Sequence, residues 1–143
     1  MDLSANYIEW TKRNFQLNSL NTEQYQFYAM EALEFLRYAK KRGLHSDLIV
    51  CDPPSFGRHN KKVFRIDKDY ADLISDCLAI LSKGGQLAFS SNYEKWDWEQ
   101  WHKRLSLLGK DLDFTLSAFT SEQRDFERDP SKSLLKAFHM TKK

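Results

Sequence analysis

Five consecutive residues, Asp52-Pro53-Pro54-Ser55-Phe56, hold the groups best placed to do chemistry in this chain, and they follow directly on the apolar run Leu48-Ile49-Val50-Cys51. Each proline fixes its own φ near about −65° and confines the residue before it to extended geometry, so the backbone is stiff without further ordering cost. Neither ring nitrogen can donate a hydrogen bond. The Asp52 carboxylate and the Pro53 carbonyl are left as an array of acceptors suited to an amino group on a planar base. Phe56 can stack on that base, an interaction worth about 1–3 kcal/mol. At the carboxyl end of a buried strand such a stretch forms the lip of a ligand site in open α/β folds, although Asp-Pro also opens ordinary turns. A basic series comes immediately after: Arg58, His59, Lys61, Lys62, Arg65 and Lys68. It can neutralise phosphates, or it can be a solvated loop.

The elements needed to position these groups can be read from the pattern. Ser4 is the expected N-cap of a helix carrying Ile8, Trp10, Phe15 and Leu17 that ends before Asn18. Residues 24–29, with Tyr25, Phe27 and Tyr28, read as a short strand, and 31–42 as a helix stopped by Gly43. Asp47 to Cys51 reads as the buried strand before the lip, and 57–66 as irregular. A helix is expected from about Lys68 to Leu81, ended by Gly84-Gly85, then a strand over 86–91. Trp98, Trp101, Leu105 and Leu108 form the apolar stripe of a further helix closed by Gly109. Residues 112–120 and 133–141 read as strands joined by the charged stretch 121–130. This order predicts one doubly wound α/β domain over 1–143 with an antiparallel C-terminal hairpin.

In that setting D-P-P-S-F after a buried strand resembles motif IV of the class I S-adenosylmethionine-dependent methyltransferases, in the form found in bacterial 23S ribosomal RNA large-subunit methyltransferases. Residues 2–18 (DLSANYIEWTKRNFQLN), 31–36 (EALEFL) and 81–92 (LSKGGQLAFSSN) resemble further segments of the family, in the same order. The likeness is greatest to the K/L type guanine-N7 domain and the related cytosine-C5 enzymes. It implies a Rossmann-like sheet of strand order 3-2-1-4-5-7-6, S-adenosylmethionine as cofactor and RNA as substrate. It also implies that Asp52, Pro53, Pro54 and Phe56 orient the base. Asp2 would accept from the cofactor ribose hydroxyls, Glu31 with Ala32 would meet the adenine, and Asp52 would also border the cofactor. Ser55, Asn92, Arg58, Lys61 and Lys62 would contact the substrate, Asn92 being equally readable as a strand-ending turn residue.

The cytosine-C5 enzymes place a nucleophilic cysteine where this chain has Phe89-Ser90-Ser91-Asn92, so the resemblance favours the guanine-N7 type. That reaction needs no base such as His59, because N7 of guanine bears no proton. The glycine-rich loop of the family has no counterpart here, the five glycines lying at 43, 57, 84, 85 and 109. The expectation is a carboxyl-terminal portion of a methyltransferase domain, lacking the first strand or strands and impaired on its own. With two family strands missing, residues 24–29 are expected either to pair with 47–52 or to leave a gap that self-association closes. Two alternatives remain: an amino-group methyltransferase acting on adenine or protein glutamine, and a non-catalytic RNA-binding module. The former usually has an aromatic residue directly after the prolines, where this chain has Ser55.

The rest of the composition sets bounds. At 143 residues with 41% hydrophobic and 29% charged content, the chain is ordinary for a globular protein. A net charge of +2 neither requires nor opposes nucleic acid. No apolar run approaches the roughly 20 residues that span a bilayer, so no membrane partner and a cytoplasmic location are expected. Cys51 and Cys77 fit a reducing compartment, and neither has metal-ligand company.

Overall fold

The computed structural model describes residues 1–59, 62–118 and 135–143, the side chains of His59, Lys62 and Ala118 excepted. They divide into two compact units, Met1–Gly43 and Leu44–Lys143.

In the first unit, α1 spans Ala5–Leu17. Ser4 occupies the cap position but its hydroxyl makes no cap; instead the Asp2 carboxylate accepts from the Ser4 N–H at 2.7 Å. Ile8 is buried, and Phe15 meets Tyr25 and Phe27 edge-on at 4.9 and 5.3 Å. The strand expected over 24–29 is not formed. Thr22–Gln24 is a 3-10 turn, and the segment after it makes a single parallel bridge, Ala29 with Asp2. A strand needs a ladder, and one bridged residue supplies only two bonds: Asp2 N–H to the Tyr28 carbonyl (3.1 Å) and Met30 N–H to the Asp2 carbonyl (2.9 Å). The expected pairing of this segment with 47–52 falls for the same reason. Helix α2, Ala32–Arg42, begins where Glu31 caps it and ends at Gly43, whose φ of 64° suits a residue without a Cβ.

The second unit carries a four-stranded sheet in the order β1-β4-β6-β5: Ser46–Cys51, Leu81–Ser91, Lys136–Lys142 and Phe114–Ala118. Strand β1 runs parallel to β4, while β6 is antiparallel to both β4 and β5. This is the 4-5-7-6 portion of the order that the resemblance implies, with its terminal hairpin. Helices α3 (Ile66–Ile80) and α4 (Trp98–Asp111) accompany a sheet face on which Leu87, Phe89, Phe138 and Met140 are buried, as are Leu73, Ile74, Trp101 and Leu105 of the helices, with Trp101 against Phe89 at 5.5 Å and Trp98 against Phe138 at 4.8 Å. On the opposite face of β1, Leu48 and Val50 are 59% and 74% exposed. Among the described residues β4 is the only strand beside β1.

Three boundaries differ from expectation. Residues 57–66 are not irregular: β2 (Phe56–His59) and β3 (Lys62–Arg65) form an antiparallel hairpin, and helix α3 starts directly after it. Gly84-Gly85 does not end α3. The helix stops at Ile80, and the ammonium of Lys142 donates to the Leu78 and Leu81 carbonyls, both at 2.8 Å, satisfying the groups a glycine cap would have served. Gly109 does not close α4 but lies buried inside it, where a Cβ would come 3.1 Å from the Phe114 ring. No helix is long and apolar enough to cross a membrane among the described residues.

Candidate active site

The lip begins where β1 ends. Pairing of Cys51 with Phe89 brings the next residues of the two strands side by side, and the Ser90 hydroxyl donates to Asp52 Oδ1 at 2.6 Å. Three residues beyond Asp52 and two beyond Ser90, the Ser55 hydroxyl donates to Asn92 Oδ1 at 2.8 Å, leaving the Asn92 amide N–H groups to donate elsewhere. The Ile66 N–H bonds the Ser55 carbonyl at 3.2 Å and ties the lip to the base of the hairpin. Between these fixed points Asp52, Pro54 and Phe56 face solvent, whereas Pro53 and Ser55 are half-buried. Phe56 is 57% exposed, so its ring is available for stacking.

A second layer holds the strand ends. The Lys136 side chain, paired across the sheet with Ser91, is buried and donates to the Tyr93 carbonyl at 3.1 Å. Burial depresses its pKa below the ordinary lysine value, against the opposing pull of Glu94 and Asp97. Arg65 grips Asp67 through two bonds, 3.3 and 3.0 Å, and its hydrogen bond holds that carboxyl below the usual range. Tyr93 titrates above its ordinary value because it is desolvated, and Asp67 adds to the effect. Behind β1 the Cys51 and Cys77 thiols form no disulfide; their mutual interaction lowers the pKa of Cys51 and, together with burial, raises that of Cys77. The tryptophans at 96, 98 and 101 are packing residues. Trp101 is fully buried, Trp98 packs on Phe138 at 4.8 Å, and Trp96 lies beneath the Arg104 guanidinium at 3.9 Å.

In the first unit, the bridge from Asp2 to Ala29 sets Asp2 beside the segment that leads to Glu31. The Asp2 side chain is exposed, with Oδ1 bonded to Ser4. Both Glu31 oxygens are engaged, one by the Leu33 N–H (3.1 Å) and one by the Glu34 N–H (3.0 Å). Ala32 is exposed in the first turn of α2. Arg58 is exposed on β2, while Lys61 and the Lys62 side chain lie outside the described residues. Sequence reasoning marks Ser90 only as the place of an absent thiol. Its bond to Asp52 is legible only through the register of two parallel strands, which no local pattern announces.

A parallel β1-β4 pair leading into an acid-Pro-Pro lip, with an antiparallel hairpin strand at the sheet's other side, is the sheet of a class I methyltransferase. By structure the chain matches SMU.776, described as a methyltransferase complexed with SAH, with a TM-score of 0.81 and 30% identity over 97% of this chain and 37% of that one. By sequence it is homologous to one segment of the ribosomal RNA large subunit methyltransferases K and K/L. It is 36% identical over 101 residues to the K/L protein of Shewanella pealeana, covering 69% of this chain and 14% of that protein. It is 38% identical to the K protein of Neisseria meningitidis (64% and 27%) and 31% identical over its full length to the K/L protein of a Psychrobacter species (100% and 17%). The chain thus spans between 14% and 27% of the length of these relatives. No protein-family model matches it.

Proposed function

We propose that this chain is part of an S-adenosylmethionine-dependent methyltransferase acting on large-subunit ribosomal RNA, with N7 of a guanine as the acceptor. The observation that carries the reading is the outward-facing lip, Asp52 to Phe56, pinned by Ser90 and Asn92. When bound, the cofactor supplies a methyl group already activated on a sulfonium, so the protein has chiefly to orient the two reactants. Phe56 stacks on the base. The Asn92 amide donates to the guanine O6 beside N7, and Ser55 fixes its orientation. Asp52, itself oriented by Ser90, stabilises the positive charge that grows on the ring as N7 is alkylated. No residue need remove a proton, and the position of the cytosine-C5 nucleophile is filled by serine.

The residues read as cofactor ligands fit in part. Asp2 has a carboxylate oxygen beyond the one held by Ser4, suited to a ribose hydroxyl. Glu31 is committed to capping α2, so contact with the adenine falls to its remaining lone pairs and to Ala32. Both units belong, on this reading, to one catalytic domain. The 143 residues alone should bind the cofactor weakly, since they carry no glycine-rich loop; calorimetric saturation in the micromolar range would overturn that. In the 143 residues taken alone, the rim of β1 is proposed to be closed by a second copy, which sedimentation would reveal as a dimer.

The decisive experiment is Asp52→Ala at the chromosomal locus, with the large-subunit RNA digested to nucleosides and weighed. Loss of one N7-methylguanosine is expected. A methylation pattern identical to the parent, or loss of a C5-methylcytidine instead, would defeat the assignment.

A further inference from the structure

The hairpin after the lip has two unlike faces. Paired residues of an antiparallel ladder share a face, and successive pairs alternate. The pairs Phe56-Arg65 and Arg58-Val63 therefore lie on one side, with Gly57-Phe64 on the other. The Gly57-Phe64 side turns inward: Phe64 is half-buried, and a Cβ on Gly57 would meet the Pro54 ring at 3.7 Å. The other side is open, with Phe56 57% and Val63 47% exposed and Arg58 exposed. Two apolar groups and two guanidinium groups thus alternate diagonally over a strip that starts at the lip. Arg65 is already oriented by its paired bonds to Asp67, and Arg58 has no such partner among the described residues. From Arg58 to Lys68 the sequence holds five Arg and Lys residues against the single acid Asp67, so the hairpin complements an anion.

We propose that this outer face, Phe56, Arg58, Val63 and Arg65, is a docking strip for unpaired RNA, on which Phe56 takes the nucleotide held at the lip and Arg58, Val63 and Arg65 take the segment next to it. The inference rests on the RNA methyltransferase reading and deepens it by naming the form of the substrate. A stacking ring, a smooth aliphatic contact and guanidinium groups hold a splayed single strand, whose base faces are exposed. In a duplex those faces are stacked away, so Phe56 and Val63 would have nothing to meet. A strip built for duplex RNA would instead need polar groups directed at phosphates and ribose hydroxyls across a minor groove.

The test is fluorescence anisotropy of the 143-residue chain with an unstructured labelled RNA oligonucleotide and with a blunt RNA duplex, over a range of salt. Single-strand binding should be tighter than duplex binding. Arg58→Gln, an exposed and conservative change, should weaken it about tenfold and reduce the salt slope by about one. Val63→Asp should weaken it at least as much, while Lys83→Gln, on β4 outside the hairpin, should leave it unchanged, all variants being checked by circular dichroism. Single-strand binding by the parent that survives both hairpin changes, or a preference for duplex, would overturn the docking strip while leaving the methyltransferase reading intact. No binding of any RNA by the parent would overturn the strip as well, and nucleoside analysis of the Asp52→Ala strain would then decide the parent reading independently.

Discussion

The two units solve burial in different ways. Leu44–Lys143 wraps two helices over a sheet and fully buries Trp101, Phe89, Phe138, Leu87 and Met140. Met1–Gly43 buries only Ile8, Leu36 and Ala39 among its apolar residues, while Leu3, Tyr7, Trp10, Leu17 and Leu20 stay exposed, Trp10 at 60%. Its backbone organisation leans on local devices: the Asp2 turn, the Asn21 and Glu31 caps, the Gly43 stop. The chemistry of the lip sits in the unit with the larger core, where side chains are held by close packing. Hydrophobic burial scales with apolar area removed from water, so stability should be concentrated there as well.

The sharpest way to break the comparison is Trp101→Ala. It should cost about 3–5 kcal/mol in urea unfolding, from lost contacts with Tyr70, Phe89 and Trp96 and the cavity left behind. A loss below about 1 kcal/mol would mean the second unit is not organised around that ring. Next in size, native-state hydrogen exchange should find the amides of β4 opening only on global unfolding, and those of α1 opening at several kcal/mol less. Equal protection would erase the distinction. Capping changes should then be felt in both units at about 1 kcal/mol each: Glu31→Ala for α2, and Asp97→Ala for α4, where Asp97 and Gln100 form a reciprocal box.

The smallest effect is one of pH. Lys136 titrates below the ordinary lysine value in the folded state, so the unfolded chain binds more protons between the two values and stability should rise with pH through that interval. Lys136→Met should remove the rise, and an unchanged slope would reassign it to other groups.

Legibility in the sequence divides along the same line. The strand before the lip is legible from the unbroken apolar run Leu48 to Cys51, and both long helices of the second unit and the final hairpin are legible because each writes a period of 3.6 or two across a buried face. Helix α2 is legible from Gly43, although the pattern points Glu31 toward a ligand when its carboxylate closes the helix. Residues 24–29 mislead because Tyr25, Phe27 and Tyr28 carry strand propensity, yet their rings serve Phe15 and α2 instead of a ladder. The β2-β3 hairpin is hidden by charge: Arg58, Lys62 and Arg65 read as a solvated loop, and only the pairing shows that they alternate with Phe56, Val63 and Phe64. At the site itself, Asp52 through Phe56 announce themselves by chemistry, whereas the bonds from Ser90 and to Asn92 depend on strands 38 and 37 residues apart in sequence.

Between Ser46 and Leu48 the partners on β4 jump from Leu81 to Gln86, and the slack is folded into a bulge whose Gly85 has the Ser82 and Ser46 carbonyls 2.8 and 3.3 Å from where a methyl group would stand. That pinch sets which rung of one strand faces which rung of the other. A bulkier residue at 85 would therefore be felt at the far end of the sheet: sliding the pair by one position would turn the carboxylate at the strand exit away from its serine, disabling the lip without any change to the lip itself.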